Sequence, residues 1–227
     1  MRYENEIIEE LWPCMVTRTN PIALYVTGPM YSGKTTVLSN VINRLVEKRQ
    51  QSYFQQHIIV CDSANSRGSK RELQAICPPR EGLEYINFLP SLEKLAGKKP
   101  TLVVFDETHL FGVIGQKDKF IDCVQQLLDS GISVLAAGLW TDCYNDYQIF
   151  GVVRDYTLFA SHIYVLPSFK PCHICGNTRQ VVASVNTECK DTTIGDHYEN
   201  ICFDCQKRRR CVNMKPSVGD VSTPKTC

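Results

Sequence analysis

The stretch VTGPMYSGKTT, residues 26–36, decides the fold of this chain. Gly28 to Thr35 fits the pattern G-x-x-x-x-G-K-[ST], whose glycines allow successive backbone N–H groups to point at phosphate oxygens. The apolar run IALYVT (22–27) before it is typical of a buried strand, and the sequence after it repeats apolar residues at helical spacing. A strand, a glycine-rich loop and a helix in this order predict a phosphate-binding cradle.

This cradle predicts a site for ATP and Mg²⁺. Lys34 would reach the outer phosphates, the Thr35 hydroxyl would bind Mg²⁺, and the start of the helix would add positive potential. The predicted ATP and Mg²⁺ residues are Gly28, Pro29, Met30, Tyr31, Ser32, Gly33, Lys34, Thr35, Thr36 and Asp106. The cradle alone leaves open whether the phosphoryl group passes to water or to a hydroxyl of a second substrate.

Four further apolar segments predict the rest of a sheet. They are HIIVCDS (57–63), LEYINF (83–88), TLVVFDE (101–107) and ISVLAAGL (132–139). The helical pattern KFIDCVQQLLDSG (119–131) lies between the last two and ends at Gly131, where a helix C-terminal glycine is expected. Strands that alternate with helices indicate an α/β fold whose mostly parallel sheet is covered on both faces.

Changes in composition divide the chain into four regions. Residues 1–20 predict a polar N-terminal extension with one short helix, and residues 21–167 predict the nucleotide-binding α/β domain. From residue 168 onward, Cys, Asn and Thr become frequent and apolar periodicity fades, so residues 168–211 predict a small second domain. Residues 212–227 predict a disordered tail.

The overall composition argues against several classes of protein. Apolar residues make up 43% of the chain, and 25 basic and 24 acidic residues leave a net charge of +1. This balance does not favour nucleic acid or a membrane surface as the main partner. The 12 cysteines occur without an apolar run long enough for a signal peptide or a membrane span. We therefore expect reduced thiols and a cytoplasmic protein.

Two adjacent carboxylates end the apolar segment TLVVFDE. Asp106 stands at the predicted carboxyl end of a strand, where an acid that supports Mg²⁺ would lie beside the cradle. Glu107 follows it and could take a proton from a nucleophile. Since that nucleophile could be water or an alcohol, Glu107 does not by itself identify the reaction.

Two C-x-x-C pairs, CHIC (172–175) and CFDC (202–205), predict a metal site. The sulfurs of Cys172, Cys175, Cys202 and Cys205 would hold Zn²⁺ tetrahedrally and leave no open position, so the metal would be structural. Redox pairs or unpaired thiols are the alternative, and Cys189 or Cys211 could replace one ligand. The intervening segment 176–201, pinned at both ends, is typical of a substrate lid.

The motifs together resemble those of the type II, zinc-containing thymidine kinase family. Residues 28–36 resemble its G-P-M-F-S-G-K-[ST]-T cradle, 105–111 (FDETHLF) its D-E-x-Q-F-F segment, and 138–142 (GLWTD) its G-L-D-T-D-F segment. The two C-x-x-C pairs, with Tyr198 between them, resemble its zinc domain and lasso loop. These blocks follow the order of the family from about residue 22 to residue 206.

The resemblance implies a fold, a reaction and an assembly. The fold would be a RecA-like P-loop domain with a mostly parallel sheet, followed by a small zinc-anchored lasso domain. The reaction would be transfer of the ATP γ-phosphoryl group to the 5′-hydroxyl of thymidine, in nucleotide salvage for DNA synthesis. Mg²⁺ bound with ATP, structural Zn²⁺, a homotetramer and feedback inhibition by the triphosphate end product are implied as well.

Residue roles follow from matching positions. Lys34 and Arg67 would act on the transferring phosphoryl group, and Glu107 would be the general base for the 5′-hydroxyl. The matched nucleoside-binding residues are Met30, Leu110, Leu139, Phe150, Ile194, Gly195 and Tyr198, with Tyr144 supplying an aromatic wall by a one-residue shift. In this arrangement, loss of the metal would release the lid and weaken nucleoside binding before ATP binding.

Four departures from the family pattern bear on specificity. Asn65 replaces an acid, His109 replaces a glutamine, Trp140 replaces an aspartate and Cys143 replaces a phenylalanine. They leave two alternatives open. One is a zinc-ribbon P-loop ATPase that acts on nucleic acid, motivated by the basic run at residues 207–210. The other is a catalytically impaired nucleotide-binding relative, motivated by Trp140 and Asn65.

Overall fold

The computed structural model describes residues 2–52, 57–61, 72–95, 97–142, 148–178, 181–186 and 198–213. Its helices are α1 (Arg2–Thr17), α2 (Lys34–Gln50), α3 (Glu72–Ile76), α4 (Leu92–Leu95), α5 (His109–Val113), α6 (Lys117–Asp129), α7 (Gly151–Tyr156) and α8 (Phe203–Asn213). Its strands are β1 (Ala23–Thr27), β2 (Ile58–Cys61), β3 (Leu83–Ile86), β4 (Leu102–Phe105), β5 (Ser133–Gly138), β6 (Thr141–Asp142), β7 (Gln148–Ile149), β8 (Ala160–Val165), β9 (Val181–Asn186) and β10 (Tyr198–Cys202).

Six strands form one sheet in the order β3-β2-β4-β5-β1-β8, and every neighbouring pair in it is parallel. The predicted α/β class is therefore confirmed. Strand β5 lies between β1 and β4, with Thr27 opposite Gly138 and Phe105 opposite Ala136. The loops that follow β1, β4 and β5 consequently meet at one edge of the sheet, where ligands bind in open parallel sheets.

The two faces of the sheet are buried under separate layers of helices. Alternate residues of β1 point to opposite faces, so Leu24 and Val26 pack with α1 and α2, while Ala23 and Tyr25 pack on the other side. That other side contains an aromatic cluster in which Phe120 stacks on Phe111 with ring centroids 4.6 Å apart. Apolar cover on both faces explains why the strands are almost continuously hydrophobic.

The N-terminal residues form more structure than the short helix expected there. Helix α1 has 16 residues, and its buried residues are Ile7, Ile8, Leu11 and Met15 in the same core as α2, together with Glu4. Glu10 of this helix contacts the edge strand β8, where the Tyr164 hydroxyl donates to Oε1 at 2.8 Å and His162 Nδ1 lies 2.7 Å from Oε2. Helix α1 therefore packs against the α/β domain.

The described residues between 168 and 213 form a small C-terminal module, the cysteine module. Strands β9 and β10 pair as an antiparallel hairpin, and α8 follows directly. Among its described side chains, the buried apolar cluster consists of Cys172, Ile201, Cys202 and Cys205. Helix α8 reaches Asn213, and the remaining predicted tail, 214–227, lies outside the described residues. Within the described part of the chain, no helix is long and apolar enough to cross a membrane.

Candidate functional site

The predicted phosphate cradle lies between the end of β1 and the start of α2. Gly33 caps α2 with a left-handed φ of 80°, a conformation that costs little only for glycine. A Cβ atom at Gly28 would lie 2.6 Å from Ser32 Oγ and 2.7 Å from Leu166 O, so a larger residue would not fit there. Tyr31 has a φ of 60° without being glycine. Such tightly determined backbone is typical of loops that bind ligands closely.

Lys34 is held inside this loop. Its ammonium group donates to Gly28 O at 3.2 Å and to Pro29 O at 2.9 Å, and the residue is 6% exposed. Burial lowers the pKa of Lys34, while the carboxylates of Glu107 and Asp106 act in the opposite direction. The arrangement places a cation next to the backbone that would surround a phosphate.

Thr35 and Asp106 meet at the edge of the sheet. The Thr35 hydroxyl, at the start of α2, donates to Asp106 Oδ2 at 3.0 Å, although β5 separates β1, which leads to the cradle, from β4, which leads to Asp106. Burial, followed by the charge of Glu107, raises the pKa of Asp106 to about 7, against hydrogen bonds from Thr35 and from the Glu107 N–H. A hydroxyl beside a buried carboxylate is an oxygen donor set that suits Mg²⁺. These residues therefore fit the predicted metal.

Glu107 occupies a strained position directly after Asp106. Its φ of 53° lies in the left-handed region, which costs a non-glycine residue about 1–3 kcal/mol. Its backbone N–H donates to Asp106 Oδ1 at 2.9 Å, and its side chain is 20% exposed. The carboxylate thus remains partly accessible beside a buried one, as a group that accepts a proton from a substrate would need to be.

His109 connects Glu107 with the predicted nucleoside pocket. Its Nδ1 lies 3.4 Å from Glu107 Oε2 and accepts from the Leu139 N–H at 3.3 Å, and its ring centroid is 5.1 Å from that of Phe150. One nitrogen cannot accept from Leu139 and donate to Glu107 at once. The N–H of Leu139 can only donate, so we assign Nδ1 as an acceptor, and its 3.4 Å approach to Glu107 Oε2 is a contact and not a hydrogen bond.

The structure brings some of the other predicted nucleoside-pocket residues close to His109. Leu110 is buried next to His109, and Leu139 and Phe150 are half-buried near it. Trp140 is half-buried too, and its carbonyl accepts from the Phe150 N–H at 3.2 Å. Some of the predicted positions lie outside the described residues. They are the predicted site residues Arg67, Tyr144, Ile194 and Gly195, and the departures Asn65 and Cys143. Tyr198 opens β10, but its side chain is not described.

The four predicted metal ligands come together. The sulfurs of Cys172, Cys175, Cys202 and Cys205 lie within 4.8 Å of one another, with 3.7 Å between those of Cys175 and Cys202. Burial opposes ionisation of Cys172, but backbone N–H groups of Cys202, Cys175 and Ile174 outweigh it and lower its pKa to about 6. Four clustered sulfurs, with N–H groups favouring the thiolate of Cys172, fit a tetrahedral Zn²⁺ site without an open position.

The cysteine module contacts the cradle directly, which the sequence pattern did not predict. The Phe169 N–H donates to Tyr31 O at 3.2 Å, and the Lys170 ammonium lies 3.3 Å from the centre of the Tyr31 ring. The Asn200 side chain donates to Met30 O at 3.1 Å. None of these three module residues belongs to a sequence motif, because each acts on backbone or ring faces far away in the sequence.

Comparison with known proteins identifies the family. A family model described as thymidine kinase matches residues 21–206. The chain belongs to the thymidine kinase family. The thymidine kinase of Thermococcus kodakarensis is 30% identical over 157 residues, which cover 66% of this chain and 72% of that protein. Membership confirms the predicted resemblance and assigns the chain to a family of kinases.

Two solved structures illustrate distant similarity to this thymidine kinase family member. Domain III of the Thermotoga maritima replication initiation protein DnaA has a TM-score of 0.41 and 13% identity, over 72% of this chain and 62% of that one. C. elegans PCH-2 has a TM-score of 0.47 and 12% identity, over 73% of this chain and 43% of that one. The chain spans less than two thirds of either structure, and similarity at this level carries no functional information.

Proposed function

We propose that the protein transfers the γ-phosphoryl group of ATP to the 5′-hydroxyl of thymidine or deoxyuridine, giving dTMP from thymidine in nucleotide salvage. The observation that carries the proposal is the position of Glu107. In this chain, which belongs to the thymidine kinase family, the partly exposed carboxylate of Glu107 lies beside the Thr35–Asp106 pair and the cradle that holds Lys34. A hydrolase would need only a water site there, whereas the family match favours an alcohol acceptor.

The cradle would hold the triphosphate of ATP. Its backbone N–H groups and the Lys34 ammonium would donate to phosphate oxygens, and Thr35 and Asp106 would hold Mg²⁺. When bound, Mg²⁺ neutralises charge on the β- and γ-phosphates. Arg67, at the position that the family pattern gives to an arginine, would steady the transferring group.

Glu107 would activate the acceptor. One of its carboxylate oxygens takes the proton of the 5′-hydroxyl while the hydroxyl oxygen forms its bond to the γ-phosphorus. The bond from the γ-phosphorus to the bridging oxygen breaks, and ADP leaves with that electron pair. The hydrogen bond from the Glu107 N–H to Asp106 Oδ1 fixes the backbone from which its carboxylate extends, which favours a defined orientation toward the acceptor.

The nucleoside would bind next to this carboxylate. Leu110, Leu139 and Phe150 supply apolar surface near His109, and Met30 belongs to the adjoining cradle. Tyr144, Tyr198 and the backbone at Ile194 and Gly195 would complete the pocket, with the lid held by structural Zn²⁺ on the four cysteines. The partly buried Trp140 would lie beside this pocket, so it is the residue most able to alter the choice of base.

The wider biology remains part of the proposal. A homotetramer and feedback inhibition by the triphosphate end product rest on family membership. A cytoplasmic location is supported by Cys61, Cys77 and Cys123, which are buried free thiols among the described residues. Family membership also favours the kinase over the nucleic-acid-dependent ATPase, and the presence of Lys34 and Glu107 favours an active enzyme over an impaired relative.

A phosphorylation screen tests the proposal. Thymidine, deoxyuridine, deoxycytidine, deoxyadenosine and deoxyguanosine are each incubated with ATP, Mg²⁺ and the protein, and nucleoside monophosphate is quantified. We expect product from thymidine and deoxyuridine. ATP binding without any nucleoside product would identify an impaired relative. Phosphate release stimulated by single- or double-stranded DNA, without nucleoside product, would instead identify a nucleic-acid-dependent ATPase.

A further inference from the structure

We propose that Asn200 is a positioning residue through which the cysteine module sets the conformation of the phosphate cradle and hence its affinity for ATP. The inference rests on the proposed ATP site but does not depend on which acceptor is phosphorylated. It differs from the expectation that the module controls only the nucleoside lid.

The side chain of Asn200 is buried and makes hydrogen bonds to two other parts of the chain. The residue lies in β10 and is 2% exposed. Its Nδ2 donates to Met30 O at 3.1 Å and also to Ser168 Oγ. The carbonyl oxygen of Met30 can only accept, so the amide nitrogen, not the amide oxygen, must face the cradle. Both hydrogens of a buried amide group are therefore directed to defined partners.

The backbone of Asn200 ties the same residue to the metal site. Its carbonyl oxygen accepts from the His173 N–H at 2.8 Å and lies 2.9 Å from His173 Nδ1. His173 stands between Cys172 and Cys175, so it moves with the first pair of sulfurs. Asn200 thus contacts the first cysteine turn, the segment at Ser168 and the cradle at Met30.

Peptide planarity converts these contacts into an effect on phosphate binding. In a trans peptide the carbonyl and the following N–H point in opposite directions. Asn200 holds the carbonyl of Met30, and the Phe169 N–H holds the carbonyl of Tyr31. The N–H groups of Tyr31 and Ser32 are thereby turned away from the module, toward the side on which the cradle would bind phosphate. Two consecutive donors consequently depend on contacts from the module.

The consequence is a coupling between metal and nucleotide. Disorder in the cysteine module would release the carbonyls of Met30 and Tyr31 and allow both peptides to rotate. Without the contacts from Asn200 and Phe169, the strained backbone at Tyr31, with its φ of 60°, would be less stable. Loss of the metal should therefore weaken ATP binding together with nucleoside binding, and not after it.

The test measures binding of a non-hydrolysable ATP analogue with Mg²⁺ in the absence of any nucleoside. Asn200→Asp keeps the shape of the side chain but places an oxygen against Met30 O, and Asn200→Ala removes the contact. We expect at least about tenfold weaker binding of the analogue for Asn200→Asp and about threefold for Asn200→Ala, with one zinc per chain retained. In steady state, KM for ATP should rise more than KM for thymidine, and more than kcat falls.

A control variant and a second position keep the result decisive. Asn177→Ala changes an exposed asparagine of the same module and should bind the analogue as the unmodified protein does. If Asn200→Asp loses its zinc, Ser168→Ala decides, because it removes a partner of the Asn200 amide outside the hairpin; about threefold weaker binding is expected. Unchanged analogue affinity in zinc-loaded Asn200→Asp, or in Ser168→Ala, would overturn the coupling.

The same measurements separate this inference from the proposed function. A protein that binds the analogue but phosphorylates no nucleoside would refute the kinase proposal and leave the Asn200 coupling measurable. A protein that does not bind the analogue at all would refute both. Thymidine phosphorylation with unchanged analogue affinity in the Asn200 variants would refute only the coupling.

Discussion

The phosphate cradle and the cysteine module differ in what keeps them folded. The cradle joins β1 to α2, both of which are buried in a large core that covers the sheet. Among the described side chains, the module has a buried apolar cluster of four residues, three of which are cysteines. Since such a cluster contributes little against the entropy of ordering a hairpin and a helix, we expect a metal on the four cysteines to hold them. The comparison predicts that packing stabilises the cradle, whereas metal coordination stabilises the module.

Removing one sulfur should have the largest effect, because it removes that coordination. Cys202→Ser should lose zinc, because a serine hydroxyl is a poor ligand and leaves only three strong donors. Since structural zinc contributes about 10–16 kcal/mol in isolated zinc-finger peptides, the module should then lose most of its stabilisation. We expect the module to become sensitive to proteolysis while the α/β domain still unfolds in a cooperative transition. Zinc analysis, limited proteolysis and thermal melting check this.

Cys123→Ser is the matched control for that variant. Cys123 is buried, and its Sγ donates to Pro90 O at 3.2 Å, a contact that a serine hydroxyl can also make. This variant should keep its zinc. One zinc per chain in Cys202→Ser would instead point to Cys189 or Cys211 as a ligand and contradict the four-sulfur site.

At the cradle edge, the largest effect should be on chemistry and not on folding. Glu107→Gln should lower kcat by roughly 10²–10⁴-fold, the usual effect of losing a positioned base, and leave binding of an ATP analogue almost unchanged. Glu81→Gln, at a side chain that is 92% exposed, is the control and should have normal kcat. Turnover within about twofold of normal in Glu107→Gln would remove Glu107 from the mechanism.

A core substitution should separate the two regions by stability. Phe120 contacts Phe105, Phe111 and Tyr156, so Phe120→Ala should lower the free energy of unfolding of the α/β domain by about 3–5 kcal/mol in urea. Its zinc content should not change. Phe203→Ala, on the exposed face of α8, should shift that free energy by less than about 0.5 kcal/mol. Loss of zinc in Phe120→Ala would show that the module depends on the core more than the comparison states.

The smallest effect should come from His109. His109→Leu leaves the Leu139 N–H without this acceptor and so loosens the backbone beside the predicted pocket, and kcat should fall by about three- to tenfold with little change in KM for ATP. His109→Gln can still donate and accept, and should retain kcat within about twofold. Equal kcat in the leucine and glutamine variants would show that His109 only fills space.

The sequence predicted the parts of the fold that have strong apolar patterns. The five predicted strands are short apolar runs, the cradle helix repeats apolar residues at helical spacing, and parallel strands bring their carboxyl ends to one edge. The contact between Thr35 and Asp106 follows from that rule. Strand β8 was not predicted, because ASHIYV lies at the sheet edge and exposes Ser161, His162, Ile163 and Val165.

Other features could not be predicted, for two reasons. The length of α1 was underestimated although Ile7, Ile8, Leu11 and Met15 have helical spacing, because Pro13 inside the segment is a residue that usually ends a helix. The contact between Asn200 and Met30 joins positions 170 residues apart through a backbone carbonyl, which carries no side-chain signature. Likewise, the left-handed φ of Glu107 has no signal in its residue type. Features of this kind can be seen only in the folded structure.

Because the main sheet is parallel, the molecule has a surface opposite the cradle at which a label could be attached. Because the six strands run parallel, the turns that precede them lie at the end opposite the cradle. There Arg18 Nη2 donates to Lys99 O at 3.2 Å, and a cavity of about 470 Å³ is bordered by Arg49, His57 and Gly82. A fluorophore or surface tether joined at position 81, by a chemistry that does not react with the 12 cysteines of the chain, would lie at the end of the strands opposite the proposed ATP site, so the immobilised protein should still bind its ligands.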